Sequence, residues 1–225
     1  LSNAVLNKTD LQGAVIEDGV LSSGQISAAT LPVKPEMLGL NISDVIEQHR
    51  AWVQSGGISG KRADLSGLDL TDHDFSGVDF SAGVFVATVF RRGSLANSTL
   101  AHANLSFADC REANFSMSDL RGADLSFTNL SGAVLENANF SSLKITGATI
   151  MAWPTDLSHA RLQGANCKSA DFSGAHLDNA DLTNADFANA DLKNCTLEGT
   201  EVSGCNLQGA HLEGVYISKA TGQPK

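Results

Sequence analysis

ADLTNADFANADLKN, residues 180–194, is three quintets of one design: a small residue, Asp, Leu or Phe, a variable residue, then Asn. Successive side chains of an extended chain point to opposite faces, so small–Asp–apolar is a minimal strand that sends its first and third residues inward. The remaining pair supplies turn chemistry, because Asn and Gly tolerate the backbone conformations that reverse a chain. A period of five matches neither the 3.6-residue helix nor a long two-residue alternation.

Outward from this stretch the same frame runs from Leu157 to Ile217, and Ala recurs two residues before the centres at Ala160, Ala165, Ala170 and Ala175. A second block, two residues out of frame, runs from Leu65 to Ile150, with core centres that include Leu65, Phe75, Phe80, Phe85, Phe90, Leu105 and Leu125; Phe172 and Phe187 continue the row in the later block. A third, short block spaces Leu1, Leu6, Leu11, Ile16, Leu21, Ile26 and Leu31 in the same way. No centre is polar. One quintet is too small to bury anything, so the units must stack into a tube lined by Leu and Phe, with Ala letting the walls approach.

ADLSG at 63–67, ANLSF at 103–107, ADLSF at 123–127, ANFSS at 138–142 and the opening stretch resemble the pentapeptide-repeat proteins. The resemblance implies an all-β fold, a right-handed quadrilateral parallel β-helix with four quintets per coil, so that residues twenty apart stack at the interstrand spacing of about 4.8 Å. The junction EQHRAWVQSGGISGKRADLSG resembles the helix-to-repeat junctions of bacterial members, which implies one capping α-helix ahead of the coils.

Two interruptions organise the chain. Residues 1–31 are expected to form a short N-terminal repeat segment, stacked on the main column or on another chain, and 32–64 a linker with an amphipathic helix. In that helix Ser43 is the expected N-cap, Gly56 the stop, and Ile42, Val45, Ile46, His49, Trp52 and Val53 share one face. An open β-helix end exposes unpaired edges and apolar lining, so this face is expected to close the coil that begins near Leu65. The main β-helix is expected over 65–150, a corner insertion at 151–156 around Trp153-Pro154, a continuation over 157–220 and a tail at 221–225.

The composition excludes several functions. The chain has 225 residues, a net charge of −10 and 42% apolar residues, without the basic clusters that direct nucleic-acid binding needs. No apolar run approaches the roughly 18 residues of a spanning helix, and no secretory pattern opens the chain. Cys110, Cys167, Cys195 and Cys205 lack ligand spacing and suit small apolar filling in a reducing compartment, so a cytoplasmic location is expected. The histidines form no HxxxH or HExxH pattern, and none recurs at twenty residues. The glycines fall at turns and make no phosphate loop. No catalytic, cofactor or metal set is expected, and the protein is not expected to be an enzyme. Many Asp residues occupy outward positions, and stacked pairs such as Asp171 with Asp191 or Asp181 with Glu201 are expected to repel and raise carboxyl pKa values.

Two features break the surface rule. Phe107 and Phe127 take the turn position usually held by Gly or Asn and lie twenty residues apart; the four-quintet coil that the resemblance implies stacks them on one corner and puts Met117, halfway between them, on the opposite one. Exposed aromatics of this kind mark contact sites. With Trp153 they form the candidate interface. The expected role is a non-enzymatic scaffold or protein-interaction module with protein partners, a homodimer among them. The resemblance also implies an alternative, a DNA-mimicking inhibitor or protection protein of a topoisomerase such as gyrase, although Arg91, Arg92, Arg111 and Arg121 interrupt the acidic surface such mimicry needs. A further alternative is the repeat module of a larger secretion-related or effector protein.

Overall fold

The computed structural model describes residues 9–10, 29–146 and 150–224. The expected centres at Leu1, Leu6, Leu11, Ile16, Leu21 and Ile26 lie outside them.

From Ala63 onward each quintet places one residue in a parallel bridge with its equivalent one coil later, and the bridges fall into four ladders. Face 1 runs Asp64–Val84–Asn104–Asp124 and resumes at Asp156–His176–Thr196; face 2 runs Asp69–Val89–Asp109–Asn129 and resumes at Arg161–Asp181–Glu201. Face 3 carries Asp74–Ser94–Asn114–Val134, then Asn166–Asp186–Asn206, and face 4 carries Asp79–Thr99–Asp119–Asn139, then Asp171–Asp191–His211. The chain is therefore a four-sided parallel β-helix, right-handed, with one residue per side in the ladder.

The centres fill the tube. Leu65, Phe80, Phe85, Phe90, Leu105, Leu125, Phe172 and Phe187 are fully buried and Phe75 is 1% exposed. Phe75, Phe80, Phe85 and Phe90 follow one another round the first coils, and their rings meet edge-on or tilted at 5.1–6.0 Å between centroids. Each such side chain stabilises the column by roughly 1.5–3 kcal/mol through loss of contact with water.

Corners are β-turns. Leu68 N–H donates to Leu65 O, and Gly67 between them has φ +67°. Positive φ at a turn's third residue is the type II requirement, which explains Gly and Asn at that phase. The Asp or Asn of each quintet does more than face outward: the side-chain oxygen of Asp64, Asn104, Asp124 and Asp156 accepts the N–H two residues on. This local bond pins the turn to the strand. It also overturns the expected upward shift in the stacked acids at Glu201, whose carboxyl is held below its ordinary value by hydrogen bonds from Ser203 and Thr221.

Helix α1 (Ile42–Gln54) closes the N-terminal end. Its N-cap is Asn41, whose side chain accepts Ser43 N–H, rather than Ser43 itself. Asn41 has extended backbone angles, the geometry a cap needs, whereas Ser43 is already inside the helix. At the other end Gly56 N–H donates to Val53 O and Gly57 N–H to Trp52 O, with Gly56 at φ +63°, a Schellman stop. Ile42, Val45 and Ile46 pack on the tube. Ahead of the helix, Val33 bridges Leu68 and so adds a rung above the first coil. Strand β1 (Thr9–Asp10) pairs in parallel with β2 (Ala29–Thr30), again twenty residues apart.

The insertion differs from the expected corner at 151–156. Strands β3 (Leu143–Thr146) and β4 (Ile150–Trp153) form an antiparallel hairpin, and the ladder spacing across it is 32 residues, as in Asp124–Asp156. The main β-helix therefore leaves its column after Ser142, and Ile145 and Ile150 belong to the hairpin. Their fivefold spacing fits the repeat by coincidence, because the alternation of a strand also places an apolar residue there.

Candidate interaction surface

Corner 1, between faces 1 and 2, carries Gly67, Ala87, Phe107, Phe127, His159 and Asn179 at equivalent turn positions. The Phe107 and Phe127 rings lie parallel at 4.9 Å and 3°, and His159 continues the stack on Phe127 at 4.6 Å and 7°. The rings sit one coil apart because the backbone ladder holds them there: Phe107 N–H donates to Ser126 O and Phe127 N–H to Ser158 O. Phe107 is 46% exposed and Phe127 49%. Both adopt left-handed φ, +62° and +59°, and His159 has +61°. That conformation costs a side-chain-bearing residue about 1 kcal/mol or more relative to Gly.

The other candidate residues lie elsewhere. Met117, φ +57°, is exposed on the diagonally opposite corner. Trp153 stands on β4, edge-on to His102 at 5.4 Å, above the corner between faces 4 and 1. The structure thus joins Phe107 with Phe127 and separates Met117 and Trp153 from them. His159 escaped the sequence argument because the hairpin stretches its offset from Phe127 to 32 residues, hiding the recurrence.

His49, on α1, is fully buried. Its Nδ1 accepts Ala63 N–H at 3.0 Å, its ring stacks on Trp52 at 5.6 Å and approaches Phe80 at 5.9 Å. Nε2 has no hydrogen-bond partner among the described residues. Burial lowers its pKa, against the raising effect of Asp79. Trp52 and Val53 on the same helix are half-buried.

The four cysteines are buried and free. Burial raises every thiol, to about 12 at Cys195 and about 11 at Cys205, which removes thiolate reactivity at neutral pH. Cys195 fills the position of Thr88 and Thr200, donating to the carbonyl of Phe172 as they donate to Leu65 O and Leu177 O. Among the described residues no three His, Cys, Asp or Glu side chains converge on a metal position. No helix among them is long and apolar enough to cross a membrane. Clefts among the described residues include 350 Å³ beside α1, lined by Ile46, Arg50 and Asp79; 470 Å³ between the hairpin and face 4, lined by Lys144, Ser142 and Asp171; and 390 Å³ at the last coil, lined by Leu207, Leu212 and Ile217.

Several acidic side chains elsewhere are met by the chain's own cations. Arg92 pairs with Asp72, Arg111 with Asp109, Arg121 with Asp119, Lys168 with Asp186 and Lys193 with Asp191. Burial would raise the Asp119 carboxyl, but the Arg121 guanidinium outweighs it and holds it below the usual carboxylate range.

The family model of pentapeptide repeats (8 copies) matches residues 84–123, 118–151, 155–187 and 185–221. The chain belongs to the pentapeptide-repeat family. It is a repeat scaffold of that family. Solved structures similar to it include HetL, a pentapeptide repeat protein involved in heterocyst differentiation regulation in the cyanobacterium Nostoc, at 24% identity over 71% of this chain and 76% of that one, TM-score 0.35. A pentapeptide repeat protein of the Arabidopsis thaliana thylakoid lumen is 28% identical over 51% of this chain and 68% of its own, TM-score 0.40. QnrB1, a plasmid-mediated fluoroquinolone resistance protein, is 18% identical over 70% and 87%, TM-score 0.42. No curated protein matches the chain significantly.

Proposed function

We propose that the protein is a rigid, non-catalytic rod that engages a protein partner through the ring ladder Phe107–Phe127–His159. The supporting observation is that exposed rings stand at positive φ in successive coils. Gly or Asn would relieve the backbone and lower the exposed apolar area, so the fold alone gives no reason for phenylalanine there. A column whose interior is filled by buried apolar side chains offers partners its outer surface.

The test is Phe127→Ser, with Phe107→Ser beside it. The set of retained partners is expected to change while the far-UV spectrum and melting temperature stay within those of the parent. Parental partners in both variants would refute the assignment. The topoisomerase alternative draws on the stacked Asp171–Asp191 and Asp181–Glu201 pairs, but the ion pairs on faces 2, 3 and 4 place bound cations across that surface. A supercoiling assay with purified gyrase separates the two.

A further inference from the structure

We infer that the partner seated on the ring ladder presents a basic, arginine-bearing segment, an inference that rests on the ladder being the docking surface. The argument is charge complementarity on the side that borders the rings. The seven face 1 quintets from Ala63 to Gly199 contain no Lys or Arg, whereas face 2 carries Arg91, Arg92, Arg111 and Arg161, face 3 Lys168 and face 4 Arg121 and Lys193. Face 1 nevertheless holds Asp124 and Asp156, directly bridged one coil apart, with Asp178 on the next coil beside His159.

None of these three carboxylates forms an ion pair among the described residues, in contrast to Asp109, Asp119, Asp186 and Asp191. Asp124 accepts from Ser126 and Asp156 from Ser158 through one oxygen each to pin a turn, whereas Asp178 uses both, accepting from Glu198 N–H and from Thr196 Oγ1. The second oxygens of Asp124 and Asp156 accept no hydrogen bond among the described residues and both side chains are half-buried, so a row of negative charge lies beside an apolar stack. Arg161 borders the ladder from face 2, in the same row as Asp181 and Glu201.

The rings suit the same ligand. One coil before Phe107, corner 1 has only the methyl of Ala87, and before that Gly67, so the outer face of the Phe107 ring is uncovered. A planar guanidinium can lie on that face while its neighbours reach the Asp124–Asp156 row, combining stacking with paired hydrogen bonds in a way an ammonium cannot. A second copy of this chain, at net charge −10 and with Arg92, Arg111 and Arg121 paired to its own Asp72, Asp109 and Asp119, suits that chemistry less well.

The probe is a fluorescent peptide of alternating Arg and Gly, compared with its citrulline counterpart of the same shape without the charge, by anisotropy at low and physiological salt. The Arg peptide is expected to bind and the citrulline peptide to bind at least about tenfold more weakly. Asp124→Asn/Asp156→Asn is expected to cost about tenfold. It keeps each turn-pinning oxygen, since Asn104 already does this on the same ladder. Asp171→Asn/Asp191→Asn removes equal charge from face 4 and is expected to change nothing. Phe127→Ser is expected to weaken peptide binding as well. Equal loss in both double variants, equal binding of the two peptides, or no binding would each overturn the inference. If Phe127→Ser alters association of the intact protein while the Arg peptide does not bind, the ladder contact stands and the basic partner falls.

Discussion

The economy of this fold is set at single positions in the quintet. The inward centre must be large and apolar, the residue two before it small, and the residue between them is best as Asp or Asn because its side chain reaches the N–H two places on. The turn residue alone carries a conformational demand, and several positions meet it badly. Ala82 has φ +57° and Ala87 +57°, against Gly77 at +72°, where an added Cβ would touch nothing. Gly77→Ala is therefore expected to destabilise by about 1 kcal/mol through backbone strain alone, and Ala82→Gly to stabilise by a similar amount. Urea melts of the two variants should move in opposite directions; shifts of the same sign would contradict the assignment of the turn.

At the scale of elements, the hairpin of β3 and β4 is an excursion from a column that closes without it. The ladders resume in register on its far side, Asn129 with Arg161 and Asn139 with Asp171. Removing residues 143–154 joins Ser142 to Thr155 and restores the 20-residue coil seen in Asp109–Asn129. Thr155, which donates to Leu120 O and accepts Gly122 N–H, is retained. The shortened protein is expected to keep its far-UV spectrum and to melt within a few degrees of the parent, a stability change of about 1 kcal/mol. Loss of cooperative melting would make the hairpin part of the structural column. The motif's period announced the coil plainly, but it could not place this excursion: Ile145 and Ile150 satisfy a strand and a quintet frame alike, and only cross-strand pairing distinguishes them.

At the scale of the molecule, each coil touches only its neighbours, so disturbances enter from the ends. The N-terminal end is held by α1, and α1 is held in part by neutral His49. A proton on Nδ1 would break the bond from Ala63 N–H and bury a charge beside Trp52 and Phe80. Asp79 favours that charge and Arg62 opposes it, but burial prevails and the folded pKa lies below 6.5. The stability His49 confers is thus fully present above about pH 6.5 and declines as pH falls from there towards the folded pKa, by up to about 1.4 kcal/mol per pH unit. Hydrogen exchange at pH 5 is expected to show α1 and the coil of Leu65–Phe80 losing protection before the coils after Leu157, and His49→Leu to abolish that ordering. Uniform loss along the column, or the same ordering in the variant, would refute the latch.

The amino-acid sequence by itself determined the column: a fivefold period of apolar centres leaves no other way to bury them, and the covering helix followed from the one amphipathic stretch ahead of the repeats. The outer surface was legible only in part. Phe107 and Phe127 stood out because their spacing equals one coil, whereas His159 joined them only when the chain had looped out and returned, an event that changes sequence distance without changing height along the rod. The placement of Trp153, the unpaired oxygens of Asp124 and Asp156 and the buried ring of His49 were likewise decided by tertiary structure. Each depends on which residues of separate coils meet at a corner, and periodicity along one chain is blind to that.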